Sequence, residues 1–391
     1  MSGAALLGGL DPAEFLRDYW QHRPLLVRQA MPDLASPLSP DELAGLALES
    51  EIPSRLVLEH GATPWEVRYG PFTEQDFAQL PPTHWSLLVT DLEKFVPELG
   101  SLVEPFRFVP DWRIDDLMIS YAPPQGSVGP HTDAYDVFLL QLHGHRRWQI
   151  DTRPVAADNR LPDTPLSIMR EFEAEQEWLL APGDMLYLPP NVAHYGVAQD
   201  DCMTASIGFR APSQKDLLGA WLDDRVAALD PERRYADPGL SPQGNPGEIN
   251  RQARSRAVAL LREALAADDD ALAHWFGCYV TEPHVDLACL YPAAREWTSA
   301  GLRRHLQEGT ELLRNPAARL AWFRDDRQLH CFADGEARSL PPAAQPLVEY
   351  LSLEHRYPAA ELLQRMNDTG ATLLIWLLQR GILELPENDD E

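Results

Sequence analysis

The chain has 391 residues and a mass of 43.9 kDa, too long for one ordinary domain and suited to two or three. Asp and Glu outnumber Lys and Arg 60 to 33, a net charge of −27, which argues against a protein that works by neutralising nucleic-acid phosphates. The acid excess suits either a basic partner or simple solubility.

No stretch approaches the ~18 consecutive apolar residues of a membrane span. Met1 to Leu10 lacks the basic start of a signal peptide. Cys202, Cys278, Cys289 and Cys331 are scattered, with no C-x-x-C spacing. These features predict a cytoplasmic chain, with no membrane association, whose cysteines are core residues or inert thiols.

In chain order, Asp11-Pro12 is an N-cap followed by proline, leading into a helix with Phe15, Leu16, Tyr19 and Trp20. Ser39-Pro40-Asp41-Glu42 is a capping box that opens a second helix. From about Asp115 the pattern changes to strands. Leu117 to Tyr121 alternates and stops at Pro123-Pro124. Val137 to Leu142 is apolar, breaks at His143-Gly144-His145 and resumes at Trp148, which predicts a hairpin. Met185 to Leu188 and Met203 to Phe209 are further short strands, and together they read as a barrel or double-sheet roll.

Residues 213–306 carry no strand pattern. Apolar positions recur at helical spacing over Leu217 to Leu229 and over Ala257 to Leu265, two stripes that call for docking or dimerisation. After about residue 307, Asp334-Gly335 marks a tight turn between short strands, and two helical runs follow. A winged-helix-like module fits. From Gly301 onward it holds 10 Arg against 15 Asp and Glu, so direct DNA binding is not expected.

The chemistry centres on His131-Thr132-Asp133. About one H-x-D match is expected by chance in a chain with 12 His, and His284-Val285-Asp286 is a second. Context separates them. The first follows a Gly129-Pro130 turn and enters an apolar strand, where residues i and i+2 share a face. The second lies in a proline-flanked segment without a third partner and reads as surface. His194, reached after Gly183-Asp184, a short strand and Pro189-Pro190, supplies a third ligand. Two histidines and one carboxylate suit a non-haem Fe(II) oxygenase, although zinc accepts the same donors. On the intervening strand Arg146 shares parity with Trp148 and Ile150, which turns its guanidinium inward to meet the carboxylate of a co-substrate. Arg147 then faces outward, and His143 and His145 are exposed.

The segments Gly129 to Phe138, Gly144 to Trp148 and Pro182 to His194 resemble the JmjC-type oxygenases of the cupin superfamily. More narrowly, Trp112 to Ser120, Ser39 to Ser50 and Val197 to Pro212 resemble the bacterial ribosomal oxygenases, arginine hydroxylases acting on ribosomal protein L-sixteen. The resemblance is strong over residues 10–215. It implies an α+β chain: a double-stranded β-helix (cupin/JmjC jelly roll) over 1–212, a helical dimerisation region over 213–306, and a winged-helix-like domain over 307–391. It implies a homodimer, with Fe(II) held by His131, Asp133 and His194, and 2-oxoglutarate and O2 as co-substrates. Arg146 would bind the distal carboxylate of 2-oxoglutarate, where many relatives use lysine, and Ser120 would help. His145 stands where a basic Arg is also seen, and the loop from Asp151 to Glu177 is variable. The partner implied is a basic, arginine-presenting ribosomal protein. Asp115, Asp116 and Tyr135, near Ser120 and Asp133 in sequence, are candidates to hold its arginine or are ordinary turn and surface residues. Other JmjC activities, and a non-catalytic cupin that assists ribosome assembly, are the competing readings.

Overall fold

A computed structural model describes residues 3–32, 34–60, 65–162, 164, 166–283, 287–292 and 295–386. The second H-x-D match, at 284–286, lies outside the described residues. Eleven strands lie between Leu25 and Phe209: β1 (Leu25–Val27), β2 (Ser54–Glu59), β3 (Trp65–Tyr69), β4 (Trp85–Val89), β5 (Ile114–Ala122), β6 (Asp136–His143), β7 (Arg146–Asp151), β8 (Gln176–Leu180), β9 (Met185–Leu188), β10 (Ala193–Ala198) and β11 (Cys202–Phe209). Eight of them form one sheet in the order β1-β9-β6-β11-β5-β4-β2-β3, and β10-β7-β8 form a second. Val137 and Leu139 of the large sheet pack with Trp148, Ile150 and Leu180 of the small one, so the two sheets close face to face into a roll.

The expected hairpin across His143-Gly144-His145 is corrected by the pairing. β6 pairs with β9 and β11, whereas β7 pairs with β8 and β10. The turn carries the chain from one sheet to the other. Gly144 has φ +59, and a Cβ there would lie 2.0 Å from the Asp201 carbonyl oxygen, so only glycine makes this crossing. Burial explains the two sequence patterns: β6 is covered on both faces along most of its length, while β7 alternates buried and half-buried residues.

The N-terminal helices form as their caps dictate. The Asp11 side chain accepts from Ala13 N–H at 2.8 Å at the start of Pro12–Asp18, and the Ser39–Glu42 capping box opens Pro40–Leu46. Phe15 and Trp20 pack on Phe138, Tyr187 and Phe209 of the large sheet. At the edge of this aromatic cluster sits Asp136, fully buried. Its carboxylate accepts from Tyr187 Oη at 2.6 Å, Gln21 Nε2 at 3.0 Å and Arg113 Nη2 at 3.2 Å. A buried carboxylate with three donors pins the segment that follows Asp133. Asp136→Ala would strip those donors of their acceptor and is expected to cost about 3 kcal/mol, read as a lower urea midpoint at unchanged slope.

Helices Gln214–Ala227 and Arg251–Leu265 follow the roll, joined to each other where Arg225 Nη2 donates to the Ala264 carbonyl at 2.9 Å. Leu218, Val226, Val258, Leu261 and Leu265 on them stay exposed. Helix Asp269–Thr281 packs instead against the C-terminal hairpins that follow the short strand β12 (Leu312–Arg314), namely β13 (Leu320–Arg324), β14 (Leu329–Ala333) and β15 (Glu336–Leu340). The turn at Asp334-Gly335 has both residues at positive φ, as the sequence predicts for a tight hairpin. Leu347, Leu374 and Leu377 of the last helices complete a separate core with Leu302 and Leu329. Among the described residues no helix is long and apolar enough to cross a membrane.

Candidate metal centre and active-site cavity

His131 lies just before β6 and His194 on β10, and the two meet as an isolated antiparallel bridge. Their N–H groups donate to each other's carbonyls at 3.0 and 2.9 Å. The loop between Pro189 and Ala193 is tied in as well, since Asn191 N–H donates to the Asp133 carbonyl at 2.7 Å. Backbone bonds therefore set the spacing of all three side chains before any ligand is considered.

Each imidazole has one ring nitrogen committed. His131 Nδ1 faces the Gly129 carbonyl at 2.9 Å, and His194 Nδ1 faces the Val192 carbonyl at 3.0 Å. A carbonyl accepts only, so both Nδ1 atoms carry the proton and both Nε2 atoms present a lone pair. These Nε2 atoms lie 3.9 and 3.5 Å from Asp133 Oδ2. Burial first, and then the adjacent His131, push the His194 imidazole down to about 4, which keeps it in the neutral form that binds metal. Ligand atoms of the three residues all fall within 4.8 Å of one another. Among the described residues this is the cluster able to hold a metal ion.

The triad opens on a cavity of about 520 Å³ between the sheets. Arg146 and Trp148 enter it from the inward face of β7, and Ser120 and Thr204 from β5 and β11. Arg146 is buried, and its Nε and Nη2 have no hydrogen-bond partner; Trp148 Nε1 also lacks one. Unpaired buried donors are costly, so a cavity that collects three of them calls for an acceptor-rich ligand. A dicarboxylate beside the metal fits these donors. Trp148 lies flat against Gly196 on β10, where a Cβ would approach its ring to 2.7 Å.

The JmjC domain family matches residues 101–217 and the ROXA-like winged helix matches residues 264–384. The ribosomal protein uL16 3-hydroxylase of Escherichia coli is 35% identical over 346 residues, 88% of this chain and 90% of that one. A probable ribosomal oxygenase of Haemophilus influenzae is 43% identical over 210 residues, 54% of this chain and 52% of that one. The structure of YcfD, a ribosomal oxygenase from Escherichia coli, in complex with cobalt and 2-oxoglutarate superposes with a TM-score of 0.79 at 32% identity, covering 97% of this chain and 99% of that one. This chain belongs to the JmjC ribosomal oxygenases.

The ribosomal oxygenase fold places the remaining candidates around the cavity mouth. Asp115, Asp116 and Tyr135 all line it. Asp115 is engaged within the chain, accepting from Arg210 Nε at 3.1 Å and Arg319 Nη2 at 3.4 Å. Asp116 is pushed up to about 8, by burial first and then by the neighbouring carboxylates Glu93 and Asp115. Tyr135 is partly exposed, and burial of its phenol beside Asp133 pushes it up, so it remains a protonated donor. Arg147 lies on the other face of β7 and donates to Gln199 Oε1 at 2.6 Å, as its parity predicts. His143 is exposed and His145 pairs with Asp200 at 2.7 Å, outside the cavity.

Sequence reasoning missed several lining residues. Ser206 stands two residues after Thr204 on β11, so strand alternation alone could have found both. Arg55 of β2 and Leu166, Ser167 and Ile168 of the long loop carry no local signal. Ile168 reaches the cavity because Met169 N–H donates to the Pro130 carbonyl at 2.7 Å, next to His131.

Proposed function

We propose that this protein is an Fe(II)- and 2-oxoglutarate-dependent oxygenase that hydroxylates the β-carbon of an arginine in ribosomal protein uL16. The observation that supports this most is the convergence, in one cavity, of two lone-pair Nε2 atoms, a carboxylate and a buried guanidinium whose Nε and Nη2 lack hydrogen-bond partners. His131, Asp133 and His194 would hold Fe(II), and Arg146 with Ser120 would hold the distal carboxylate of 2-oxoglutarate. When bound, the iron with 2-oxoglutarate and O2 supplies the oxidising power for an unactivated C–H bond, releasing succinate and CO2.

The chain's own residues bind and orient. The guanidinium fork of Arg146 would fix one end of the co-substrate, and Trp148, its ring centroid 5.8 Å from the guanidinium carbon, lines that same end. Asp116, half-buried at the mouth, is suited to receive a guanidinium: a cation drawn against it favours its ionised form and forms a charge-assisted pair. The exposed apolar stripes of Gln214–Ala227 and Arg251–Leu265 would be covered in a homodimer, read as a dimer mass by light scattering at micromolar concentration.

Steady-state turnover with an arginine peptide of uL16 tests this reading. Product should carry one added oxygen, only when Fe(II) and 2-oxoglutarate are both supplied. A peptide with lysine in place of the arginine should turn over at least ~10-fold less well, because lysine lacks the planar fork. With a charge of −27 on the enzyme, turnover at low peptide concentration should fall with salt as the Debye length drops from ~10 Å at 0.1 M to ~3 Å at 1 M. Salt-independent turnover, with lysine used as well as arginine, would leave the acidic composition to solubility and the substrate class unassigned.

A further inference from the structure

Asp115 is the point where three distant parts of the chain converge. Arg210, just past β11, donates from Nε to Asp115 Oδ1 at 3.1 Å and from Nη1 to the Val280 carbonyl at 3.2 Å. Arg319, just before β13 in the C-terminal domain, donates from Nη2 to the same carboxylate oxygen at 3.4 Å and to the Asp115 carbonyl at 3.5 Å. Lys94 Nζ reaches that carbonyl at 3.1 Å. Arg319 is itself held in place: its N–H donates to Asp334 Oδ1 at 2.9 Å, and Asp334 N–H donates to its carbonyl at 3.2 Å. The Arg210 and Arg319 side chains are 9% and 13% exposed and the Asp115 side chain is 40% exposed, so the fold holds both cations in place while water screens part of their pull on Asp115.

We infer that Arg319 is a positioning residue, through which the winged-helix domain holds Asp115 and so sets the charge and placement of Asp116 at the cavity mouth. The inference rests on the reading above that Asp116 receives the cationic substrate residue. Asp116 is the next residue along β5, and it packs so close to β11 that a Cβ on Gly208 would lie 2.8 Å from its Oδ1. Four groups surround it electrostatically: Glu93 and Lys94 of helix Leu92–Phe95, Asp91 at the cap of that helix, and Asp115 on its own strand. Tyr135 faces it across the mouth. Three of the four are acids. Arg319 and Arg210 are cations hydrogen-bonded to one of them, Asp115.

Removing the Arg319 charge exposes the Asp115 carboxylate electrically, favours the protonated form of Asp116 and weakens capture of a cation at neutral pH. Capture strengthens as pH rises toward the Asp116 pKa of about 8, so the rising limb should move to higher pH in an Arg319→Gln variant. None of these residues is a metal ligand and Arg146 takes no part; Tyr135, which faces Asp116, is the neighbour shared with Asp133.

The test is the pH profile of peptide KM in the full-length enzyme, with kcat and the KM for 2-oxoglutarate measured alongside. Arg319→Gln should raise peptide KM about tenfold at neutral pH, equivalent to one pKa unit, and shift the profile alkaline. The kcat at saturating peptide and the KM for 2-oxoglutarate should stay at wild-type values, and Arg319→Lys should restore most of the loss. Asp115→Asn, which removes the acid and leaves both arginines, should move the profile the opposite way, and it serves if Arg319→Gln fails to fold. Wild-type peptide KM in Arg319→Gln while Asp116→Asn raises it would overturn the inference and leave the substrate reading standing. Wild-type KM in Asp116→Asn would overturn the substrate reading itself. Parallel loss of kcat and of both KM values in Arg319→Gln, without rescue by lysine, would reduce Arg319 to a general structural role.

Discussion

His131→Ala and Asp133→Ala are expected to abolish 2-oxoglutarate turnover while leaving the fold intact. Each removes one donor from a three-donor site, and both residues lie on a half-exposed rim where truncation creates no sealed cavity. The backbone bridge that joins His131 to His194 uses N–H and C=O groups, so it survives either substitution. Circular dichroism and the thermal midpoint should match wild type, and cobalt affinity should drop steeply. His284→Ala is the internal comparison and should behave as wild type. Loss of turnover in His284→Ala with retention in His131→Ala would mean that the wrong H-x-D match had been placed at the centre.

The second large effect is expected at Arg146. Its Nε and Nη2 are buried without a partner, so binding a carboxylate there gains a charge-assisted bidentate pair and removes an unsatisfied-donor cost. Arg146→Ala should raise the 2-oxoglutarate requirement by about two orders of magnitude, equivalent to roughly 3 kcal/mol. Metal affinity, measured by cobalt titration without co-substrate, should be unchanged, because Arg146 is not a ligand. Arg146→Lys should recover part of the loss, since a single ammonium keeps the charge and forfeits the fork. Equal loss of metal and co-substrate binding in Arg146→Ala would make Arg146 structural.

The parts of this molecule that were legible in the sequence are those governed by local chemistry. Asp11-Pro12 and the Ser39–Glu42 box start helices where their side chains can satisfy the first free N–H groups. The inward turn of Arg146 and the outward turn of Arg147 follow from strand parity. His131, Asp133 and His194 could be brought together because turn residues at Gly129-Pro130 and Pro189-Pro190 fix where each strand begins and stops. Pairing partners were not legible. An apolar run, a glycine turn and an alternating run describe both a hairpin and a crossing between sheets, and only the contacts of β6 with β11 and of β7 with β10 decide between them. The same holds for Asp115: its neighbours along the chain say nothing of Arg210 and Arg319, which arrive 95 and 204 residues later.

Whether this protein hydroxylates uL16 is decided by the intact mass of uL16 from cells that lack the protein and from cells that carry it. In its absence uL16 should be lighter by one oxygen atom, the missing oxygen should map to a single arginine, and the wild-type chain should restore it while His131→Ala does not. An unchanged uL16 mass, or restoration by His131→Ala, would contradict that assignment.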